Sequence, residues 1–409
     1  MEVTKKLEKT RIFRDPLYGN IVVEYQVIWD LINTREFQRL RRIRQLSGVE
    51  VVFHTAEHSR FSHSIGTYHI AYRFVSESVL KDYFSEYEKV LFMAASLVHD
   101  IGHGPFSHAF EKAFAINHEL MGQRILTENT EISLVLASYG EFQKDVVNVL
   151  SHGGKYPIIE NLVSSQLDVD RLDYLNRDAS HVAANYGYVD VDRIVRILRI
   201  QDGKVAYLDK GINTIENYLM SRYHMYWQIY YHKRARSYEV LLENIYTYII
   251  DHKNVIKGHK AFIDFLFDNN NLDAYLMLDD YYIVGMILEY INSPDKDFAY
   301  LISNFVNRKL LSYVTLKEGQ EDMISSHFQF GDAKYYYKAE EISQVAYLNN
   351  KRGQHVSEIL ILEDGKLLPL DKASKVVAGL LESGKKKEKT IFYDENKLQW
   401  SDCCWGRTR

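Results

Sequence analysis

An uncharged apolar run that ends in an adjacent histidine and aspartate is the strongest constraint in this sequence. Residues 90–97 read VLFMAASL and predict a buried helix, with His99 and Asp100 at its end. A neutral imidazole and a carboxylate are common ligands of divalent cations. Taken alone, the pair is equally consistent with a capping aspartate beside a half-buried histidine.

A turn-rich segment follows in the stretch LVHDIGHGPFSHAFE, residues 97–111. Gly102, Gly104 and Pro105 predict that the apolar helix stops here. Another helix is predicted to begin near Phe106, with Pro105 at or near its first position. The turn would return the next histidines towards the end of the first helix.

Composition limits the class of protein. The 409 residues are enough for a large core and two domains, and only 5 of them are proline. Few breakers between long periodic segments predict a mostly α protein. The net charge of −5 gives no basic field, so nucleic acid is a possible partner but not a favoured one.

Cysteine usage argues against a disulfide-rich or thiolate-metal protein, and hydropathy argues against a membrane or secreted protein. Cys403 and Cys404 are adjacent and are the only cysteines, which argues against a disulfide framework and a thiolate metal site. No apolar stretch approaches the roughly 20 residues of a membrane span, and the first residues lack the apolar core of a signal peptide. We therefore expect a cytoplasmic protein without membrane contact.

The hydrophobic pattern changes twice along the chain. Residues 1–30 predict a short β element, and apolar spacing of three to four then predicts helices from Val27 to about Val314. Later stretches such as VSEILILEDGKLLPL alternate and predict strands. We expect a helical core over residues 1–315, with any metal site within 45–235, and a smaller α+β lobe over 316–409 that serves assembly or regulation.

The stretch HSRFSHSIGTYHIA, residues 58–71, predicts a second source of ligands. Ser59 can cap a helix whose first turn holds Arg60 and His63. Gly66, one turn later, permits close approach of a neighbouring helix or ligand. The alternative for His63 is a core histidine satisfied by a backbone carbonyl.

A third source is SSQLDVDRLDYLNRDASH, residues 164–181. Asp170, Tyr174 and Asp178 recur at every fourth position and form one stripe on a predicted helix. Such a stripe is usually solvated, but here leucines compete for burial of the same face.

The order of His63, His99-Asp100 and Asp170 resembles the HD-domain metal-dependent phosphohydrolases. Six stretches narrow the resemblance to the deoxynucleoside triphosphate triphosphohydrolases: DPLYGNIVVE, REFQRLRRIRQL, HSRFSHSIG, HDIGHGPFSHAFE, NHELMG and DVDRLDYLNRD. The likeness is dense over residues 11–250. It implies an HD-domain helical core that cleaves a dNTP at the α-phosphorus into a deoxynucleoside and inorganic triphosphate.

The resemblance implies one divalent metal ion per active site, held by His63, His99, Asp100 and Asp170. This set suits Mn²⁺, Mg²⁺, Fe²⁺, Zn²⁺ or Ni²⁺, and ligand type alone does not choose among them. Such a metal polarises a phosphoryl oxygen and lowers the pKa of a bound water. The resemblance also implies that His118 is the catalytic acid and that Glu111 is its acidic partner. The neighbouring His103 and His108 can supply further donors.

Substrate contacts are expected around these residues. Arg60 and Arg171 each flank a metal ligand and offer a planar fork of donors to phosphate. By resemblance, the sugar is read by Gln45, Tyr174 and Asp178, and Tyr174 leaves no room for a ribose 2′-hydroxyl. A second stripe, for which core packing is the alternative, is implied by the resemblance to contact phosphate, base and sugar; it comprises Arg222, Tyr226, Tyr230 and, just beyond, Lys233.

Regulation is implied by the resemblance alone. Proteins of this family commonly form tetramers whose interfaces bind activating nucleotides, so we expect a homo-oligomer, either a tetramer or a dimer, and a nucleotide triphosphate effector with Mg²⁺. The matching positions are Arg11, Gln38, Arg41, Arg193, Lys210 and Arg308. Ordinary surface charge is the alternative explanation for these cations.

Two other functions fit parts of the pattern. One is another HD chemistry, a 5′-nucleotidase, a phosphodiesterase or a metal-dependent nuclease, which would show fewer phosphate-binding cations or a basic groove. The other is a catalytically silent nucleotide-sensing scaffold, which would be expected to lack a metal ligand or His118. Since these residues are all present, the sequence favours a metal-dependent dNTP triphosphohydrolase.

Overall fold

The chain forms a helical core with strands at both ends, which confirms the predicted fold class. The structure is a computed structural model that describes residues 1–316, 334–344, 358–382 and 386–397. The pair Cys403-Cys404 lies outside the described residues, as does part of the predicted lobe. Within the described ranges, no helix combines the length and the apolar character that crossing a bilayer requires.

Helices dominate the described residues as far as Val306. The α-helices are α1 (Gln26–Asn33), α2 (Arg35–Arg39), α3 (Arg60–Glu77), α4 (Leu80–Tyr83), α5 (Glu86–Val98), α6 (His108–Phe114), α7 (His118–Thr127), α8 (Glu131–Ala137), α9 (Phe142–Leu150), α10 (Pro157–Val163), α11 (Val169–Val182), α12 (Val191–Ile197), α13 (Ile212–Met225), α14 (Lys233–Asp251), α15 (Lys260–Phe267), α16 (Leu272–Leu276), α17 (Asp280–Glu289), α18 (Lys296–Val306), α19 (Leu370–Ala373) and α20 (Lys375–Glu382). Short 3₁₀ turns occupy Leu40–Arg42, Val49–Val51 and Asp209–Gly211.

The strands form three small sheets. They are β1 (Lys6–Asp15), β2 (Gly19–Tyr25), β3 (Leu198–Gln201), β4 (Lys204–Leu208), β5 (Ser312–Leu316), β6 (Tyr337–Gln344), β7 (Leu360–Glu363), β8 (Lys366–Pro369) and β9 (Lys386–Tyr393). β1 and β2 form the predicted N-terminal element, an antiparallel hairpin in which Asp15 pairs with Gly19. Gly19 has a φ of +72°, a conformation that costs glycine little.

Strands of the predicted C-terminal lobe pair with strands of the helical core. β9 lies between β5 and β6 in an antiparallel sheet, and β7 runs parallel to β4 in a sheet ordered β3-β4-β7-β8. The described part of the lobe is α+β, as expected. The predicted boundary at residues 315/316 falls within β5, and the division into two domains stays a prediction.

The helix predicted from the apolar run is buried along its length. All residues of α5 from 90 to 98 are buried, and the helix delivers His99 to its C-terminal cap. Helix α3 starts where Ser59 was expected to cap it, since Ser59 Oγ accepts a hydrogen bond from the backbone N–H of Ser62 (3.4 Å). The cap fixes the first turn of α3 and therefore the position of His63.

Helices α3 and α11 meet closely at Gly66. A Cβ atom at this position would lie 1.9 Å from Asp173 Oδ1 and 2.4 Å from Arg177 Nη2. Both of those side chains are buried. The missing side chain at position 66 therefore sets the distance between the helix that carries His63 and the helix that carries Asp170.

The helix predicted near Phe106 is present, but the prediction that Pro105 lies at or near its first position is wrong. Helix α6 begins at His108, so Pro105 lies in the preceding loop rather than in the first helical turn. Phe106 and Ser107 have φ values of +52° and +42°, and the backbone N–H of Phe106 donates to Asp280 Oδ1 (2.7 Å). A buried carboxylate distant in sequence holds this loop in a conformation that local signals do not predict.

The predicted helical stretch from Val27 to Val314 is also interrupted. β3 and β4 form a hairpin at residues 198–208. The sequence pattern did not predict it, because a short buried apolar run does not distinguish a strand from a helix by its periodicity alone. A π-helical turn at Tyr226–Tyr230 follows α13. This turn changes the helical spacing on which the second predicted stripe depends.

We predict that Gly66→Ala destabilises the fold by about 1–3 kcal/mol, because the new methyl group must displace the buried Asp173 and Arg177 side chains. Urea denaturation of the purified chain measures the change. Gly285→Ala is the matched control, since this helical glycine in α17 has open space at its Cβ position. The control should be neutral or stabilising by up to about 1 kcal/mol. Equal effects of the two substitutions would contradict the argument.

Candidate metal and phosphate site

Four side chains from three helices converge on one point. His63 lies in the first turn of α3, His99 and Asp100 follow α5, and Asp170 lies in the first turn of α11. His63 Nε2 is 3.1 Å from Asp170 Oδ1 and 3.7 Å from Asp100 Oδ2. His99 Nε2 is 3.5 Å from Asp170 Oδ1 and 3.4 Å from Asp100 Oδ1. The structure thus brings the four predicted metal ligands together.

Both imidazoles present a free lone pair to this point. His99 Nδ1 donates to the carbonyl oxygen of Ser96 (2.8 Å), which can only accept, so Nδ1 carries the proton. His63 Nδ1 is hydrogen-bonded to Asp173 Oδ2 (2.8 Å). Among the described residues, neither buried Nε2 atom has a hydrogen-bond partner. A cation at the point of convergence would satisfy both lone pairs.

The surrounding carboxylates create a demand for positive charge. Burial alone would lower the pKa of His63, but the neighbouring carboxylates of Asp170, Asp173 and Asp100 raise it to about 10. A proton or a divalent cation can meet this demand, and the two compete for the same nitrogen. Two imidazoles and two carboxylates fit a divalent first-row metal.

Asp173 orients His63, and sequence reasoning missed it. This fully buried carboxylate on α11 accepts hydrogen bonds from His63, from Tyr18 Oη (2.9 Å) and, at both oxygens, from Arg177 (2.9 Å each). Arg177 also pairs with Asp15 of the hairpin turn (2.9 Å). The spacing of Asp173 and Arg177, four residues apart on a helix, was the available signal for this pair.

Arg60 connects the metal ligands to the loop before α6. Its Nη1 donates to Asp100 Oδ2 (2.5 Å), and its Nε and Nη2 donate to Ser107 Oγ (3.0 and 2.9 Å). Asp100 therefore has one oxygen held by Arg60, and its other oxygen is 3.3 Å from His103 Nε2. The hydrogen bonds fix the carboxylate in place before any ligand arrives.

The predicted catalytic residues form a second group beside the first. His118 Nδ1 is 2.6 Å from Glu111 Oε1, and His108 Nδ1 is 2.9 Å from Glu111 Oε2. His118 stacks on His103 with ring centres 4.0 Å apart. His103, Glu111 and His118 also lie close enough to hold a cation, but Glu111 already binds a histidine at each oxygen.

Charges in this second group favour a protonated His118. Burial would lower the pKa of His118, but the hydrogen bond and the charge of Glu111 raise it above its ordinary value. Burial and the charge of Arg60 lower the pKa of His103 to about 3, so that ring is neutral. Of the two stacked rings, His118 is therefore the one that holds a proton.

A cavity of about 870 Å³ opens beside both groups. It is lined by the three histidines His103, His108 and His118, and by seven of the residues predicted to bind substrate, namely Gln45, Arg60, Arg171, Tyr174, Asp178, Tyr226 and Tyr230. Asp178 accepts hydrogen bonds from Tyr230 (2.7 Å) and is 2.7 Å from Nε2 of the buried His58. No local sequence signal pointed to His58, because its role depends on a contact across the fold.

The predicted phosphate contacts differ in their position relative to the cavity: Arg171 lines it, whereas Arg222 and Lys233 do not. Arg171 pairs with Asp168, the residue that caps α11. Arg222 is buried behind the cavity wall, with its guanidinium 5.7 Å from the centre of the Tyr226 ring. Lys233 points away from the cavity and binds Thr390 Oγ1 (2.8 Å) and Glu388 on β9.

The predicted effector residues fall into three groups away from the cavity. Arg41 donates to Gln38 Oε1 (2.8 Å), and Arg11 lies over the ring of Trp29. Arg193 donates to the carbonyl oxygen of Lys210 (3.0 Å), and Arg308 donates to that of Val51 (2.7 Å). Since a single chain is described, their role at an interface stays a prediction.

We predict that Asp173→Asn weakens binding of Mn²⁺ about 10- to 100-fold, the usual cost of losing the partner that orients a ligating histidine. Tyr18→Phe removes one hydrogen bond to the same carboxylate and should weaken binding less. Calorimetric titration of the metal-free chain measures both. Asp192→Asn, at an exposed acid that pairs with Arg73, is the control and should bind as the wild type does. Unchanged affinity in Asp173→Asn would sink the role given to this residue.

Comparisons with known proteins agree with this geometry. The family model for the HD domain matches residues 60–178, and that for the HD associated region matches residues 189–317. An uncharacterized protein of Bacillus subtilis, YwfO, is 34% identical over 411 residues, which cover 96% of this chain and 94% of that protein.

Two further similar proteins have names that state an activity. The deoxynucleoside triphosphate triphosphohydrolase SAMHD1 homolog of Dictyostelium discoideum is 30% identical over 263 residues, covering 59% of this chain and 49% of that protein. The crystal structure of a phosphohydrolase from Bacteroides thetaiotaomicron superimposes with a TM-score of 0.83 at 27% identity, covering 94% of this chain and 100% of that one. The chain therefore belongs to the HD-domain family of phosphohydrolases, with relatives among the deoxynucleoside triphosphate triphosphohydrolases.

Proposed function

We propose that this chain is a metal-dependent dNTP triphosphohydrolase, which releases a deoxynucleoside and inorganic triphosphate. One observation carries the proposal: the predicted metal ligands lie beside a cavity that is also lined by arginines, by a histidine hydrogen-bonded to Glu111 and by an aromatic wall. The SAMHD1 homolog of Dictyostelium, named as a deoxynucleoside triphosphate triphosphohydrolase, supports the choice of substrate.

The residues around the ligands have complementary roles. When bound, the metal supplies Lewis acidity towards a phosphoryl oxygen and lowers the pKa of a coordinated water. Arg60 and Arg171 neutralise charge on the phosphates, since each faces the cavity from beside a ligand. His118 holds a proton for the leaving oxygen, because Glu111 fixes its Nδ1 side and raises its pKa.

The opposite wall of the cavity suits a deoxyribose. Gln45 Oε1 is buried and has no hydrogen-bond partner among the described residues, so it is available to a sugar hydroxyl. Each oxygen of Asp178 has one partner and retains acceptor capacity for the same hydroxyl. Tyr174 and Tyr230 meet edge to face with ring centres 6.2 Å apart and form an apolar wall. A 2′-hydroxyl against such a wall would lose its hydrogen bonds.

We also propose that the chain forms a homo-oligomer and that a nucleotide with Mg²⁺ activates it at the subunit interfaces. The proposal comes from the positions that match the family, which are Arg11, Gln38, Arg41, Arg193, Lys210 and Arg308. Several of these cations are exposed, and burying them against another subunit would be costly without an anion.

The central test is product analysis. Each dNTP is offered singly and then all four together, with Mn²⁺ or Mg²⁺, and products are separated by ion-exchange chromatography. We expect inorganic triphosphate and deoxynucleoside from the wild type and neither from Asp170→Ala, which lacks a metal ligand. Activity that requires the mixture, together with an increase in molecular mass on adding nucleotides, would support the effector.

Other products would redirect the assignment. Hydrolysis of nucleoside monophosphates, cyclic nucleotides or single-stranded DNA without dNTP turnover would favour another HD phosphohydrolase. Nucleotide binding without turnover of any of these substrates would favour a silent sensor.

We predict that Glu111→Gln moves the alkaline limb of the pH–rate profile to lower pH. The glutamate raises the pKa of His118, so its neutral replacement lets that pKa fall. An acid must be protonated to act, and activity is therefore lost at a lower pH in the variant. The maximal rate should fall about 10²–10⁴-fold in His118→Ala. The variant pKa is measured independently by NMR titration of the His118 ring, and an unshifted titration would refute the pairing.

A further inference from the structure

The basic side chains on the cavity wall are all paired with carboxylates within the described residues. Arg60 binds Asp100, and Arg171 binds Asp168. The three remaining cations bind glutamates, and they are Lys112, Arg236 and Lys338. A polyphosphate that enters the cavity must therefore exchange with one of these carboxylates.

Glu340 makes the contacts that a phosphate group would make. Its Oε2 accepts from Arg236 Nε (3.1 Å) and its Oε1 from Arg236 Nη2 (2.5 Å), a two-pronged contact like that of arginine with phosphate. Oε1 also accepts from Lys112 Nζ (3.2 Å). These contacts lower the pKa of Glu340 despite its burial, so the group is an anion.

Glu340 is also the partner best placed to leave. Asp168 caps α11, and the other two glutamates that pair with Arg236, Glu239 and Glu243, lie within α14. Glu340 instead belongs to β6, an edge strand that is hydrogen-bonded to β9 alone among the described strands. Residues 338–342 of this strand line the cavity. A strand held on one side can move without breaking the helical core.

We propose that Arg236 and Lys112 form a second phosphate subsite and that Glu340 occupies it until a polyphosphate displaces it. The subsite takes the distal phosphates of the chain whose reacting phosphorus lies at the metal ligands. This assignment rests on the proposed function for the identity of the substrate. The proposal explains why Glu340 lies against the cationic side chains of the cavity wall. It also predicts that Glu340 lowers the affinity of the chain for polyphosphate.

The test is binding of inorganic triphosphate to the full chain, measured by calorimetry at constant salt in buffer freed of divalent cations. Glu340→Gln should bind about three- to tenfold more tightly than the wild type, because the competing anion is gone. Lys112→Met should bind about three- to tenfold more weakly, and its half-exposed side chain allows replacement without loss of the fold.

Glu363→Gln is the matched control. It removes the same charge from an exposed position on β7, outside the cavity wall. Glu340→Gln binding no tighter than this control, unchanged binding in Lys112→Met, or no triphosphate binding to any variant would each overturn the subsite. Turnover is scored separately: triphosphate binding in the expected order without dNTP hydrolysis would refute the proposed function alone, whereas hydrolysis with equal binding by all variants would refute the subsite alone.

Discussion

The arrangement of this site depends on one buried carboxylate, that of Asp173. It joins the helix that carries His63 to the helix that carries Asp170, and through Arg177 and Tyr18 it joins both to the N-terminal hairpin. Burying an ion pair is costly unless every lone pair and proton is satisfied, and here both oxygens are used twice. The network is possible because Gly66 lets the helices approach.

The ligands converge because they stand at helix ends. Ser59 and Asp168 cap α3 and α11 with their side chains, which fixes where each helix begins and which residues fill its first turn. The end of α5 supplies the other two ligands from the opposite direction.

These local signals explain what could be predicted from the sequence. Caps, glycines and the apolar run predicted the helices that carry the ligands, and the resemblance to the HD-domain family identified the ligands themselves. Contacts between residues distant in the chain could not be found in this way. Asp280 fixes the loop at Phe106, and His58 orients Asp178, from positions whose neighbours in sequence show no sign of these roles. Buried polar groups must find partners, but the sequence does not say which ones.

Charge balance links the two ends of the cavity. The metal ligands gather carboxylates that repel phosphate, whereas each cation on the wall near β6 is already paired with a glutamate. In the proposed function, a divalent cation held by these ligands would reverse the sign of the local field and would let the reacting phosphate approach. Once Glu340 had exchanged with the remaining phosphates, Arg236 and Lys112 would hold them while keeping their contacts with Glu239 and Glu243 on α14. The two proposals together predict that metal binding and polyphosphate binding are coupled through the electrostatics of one cavity.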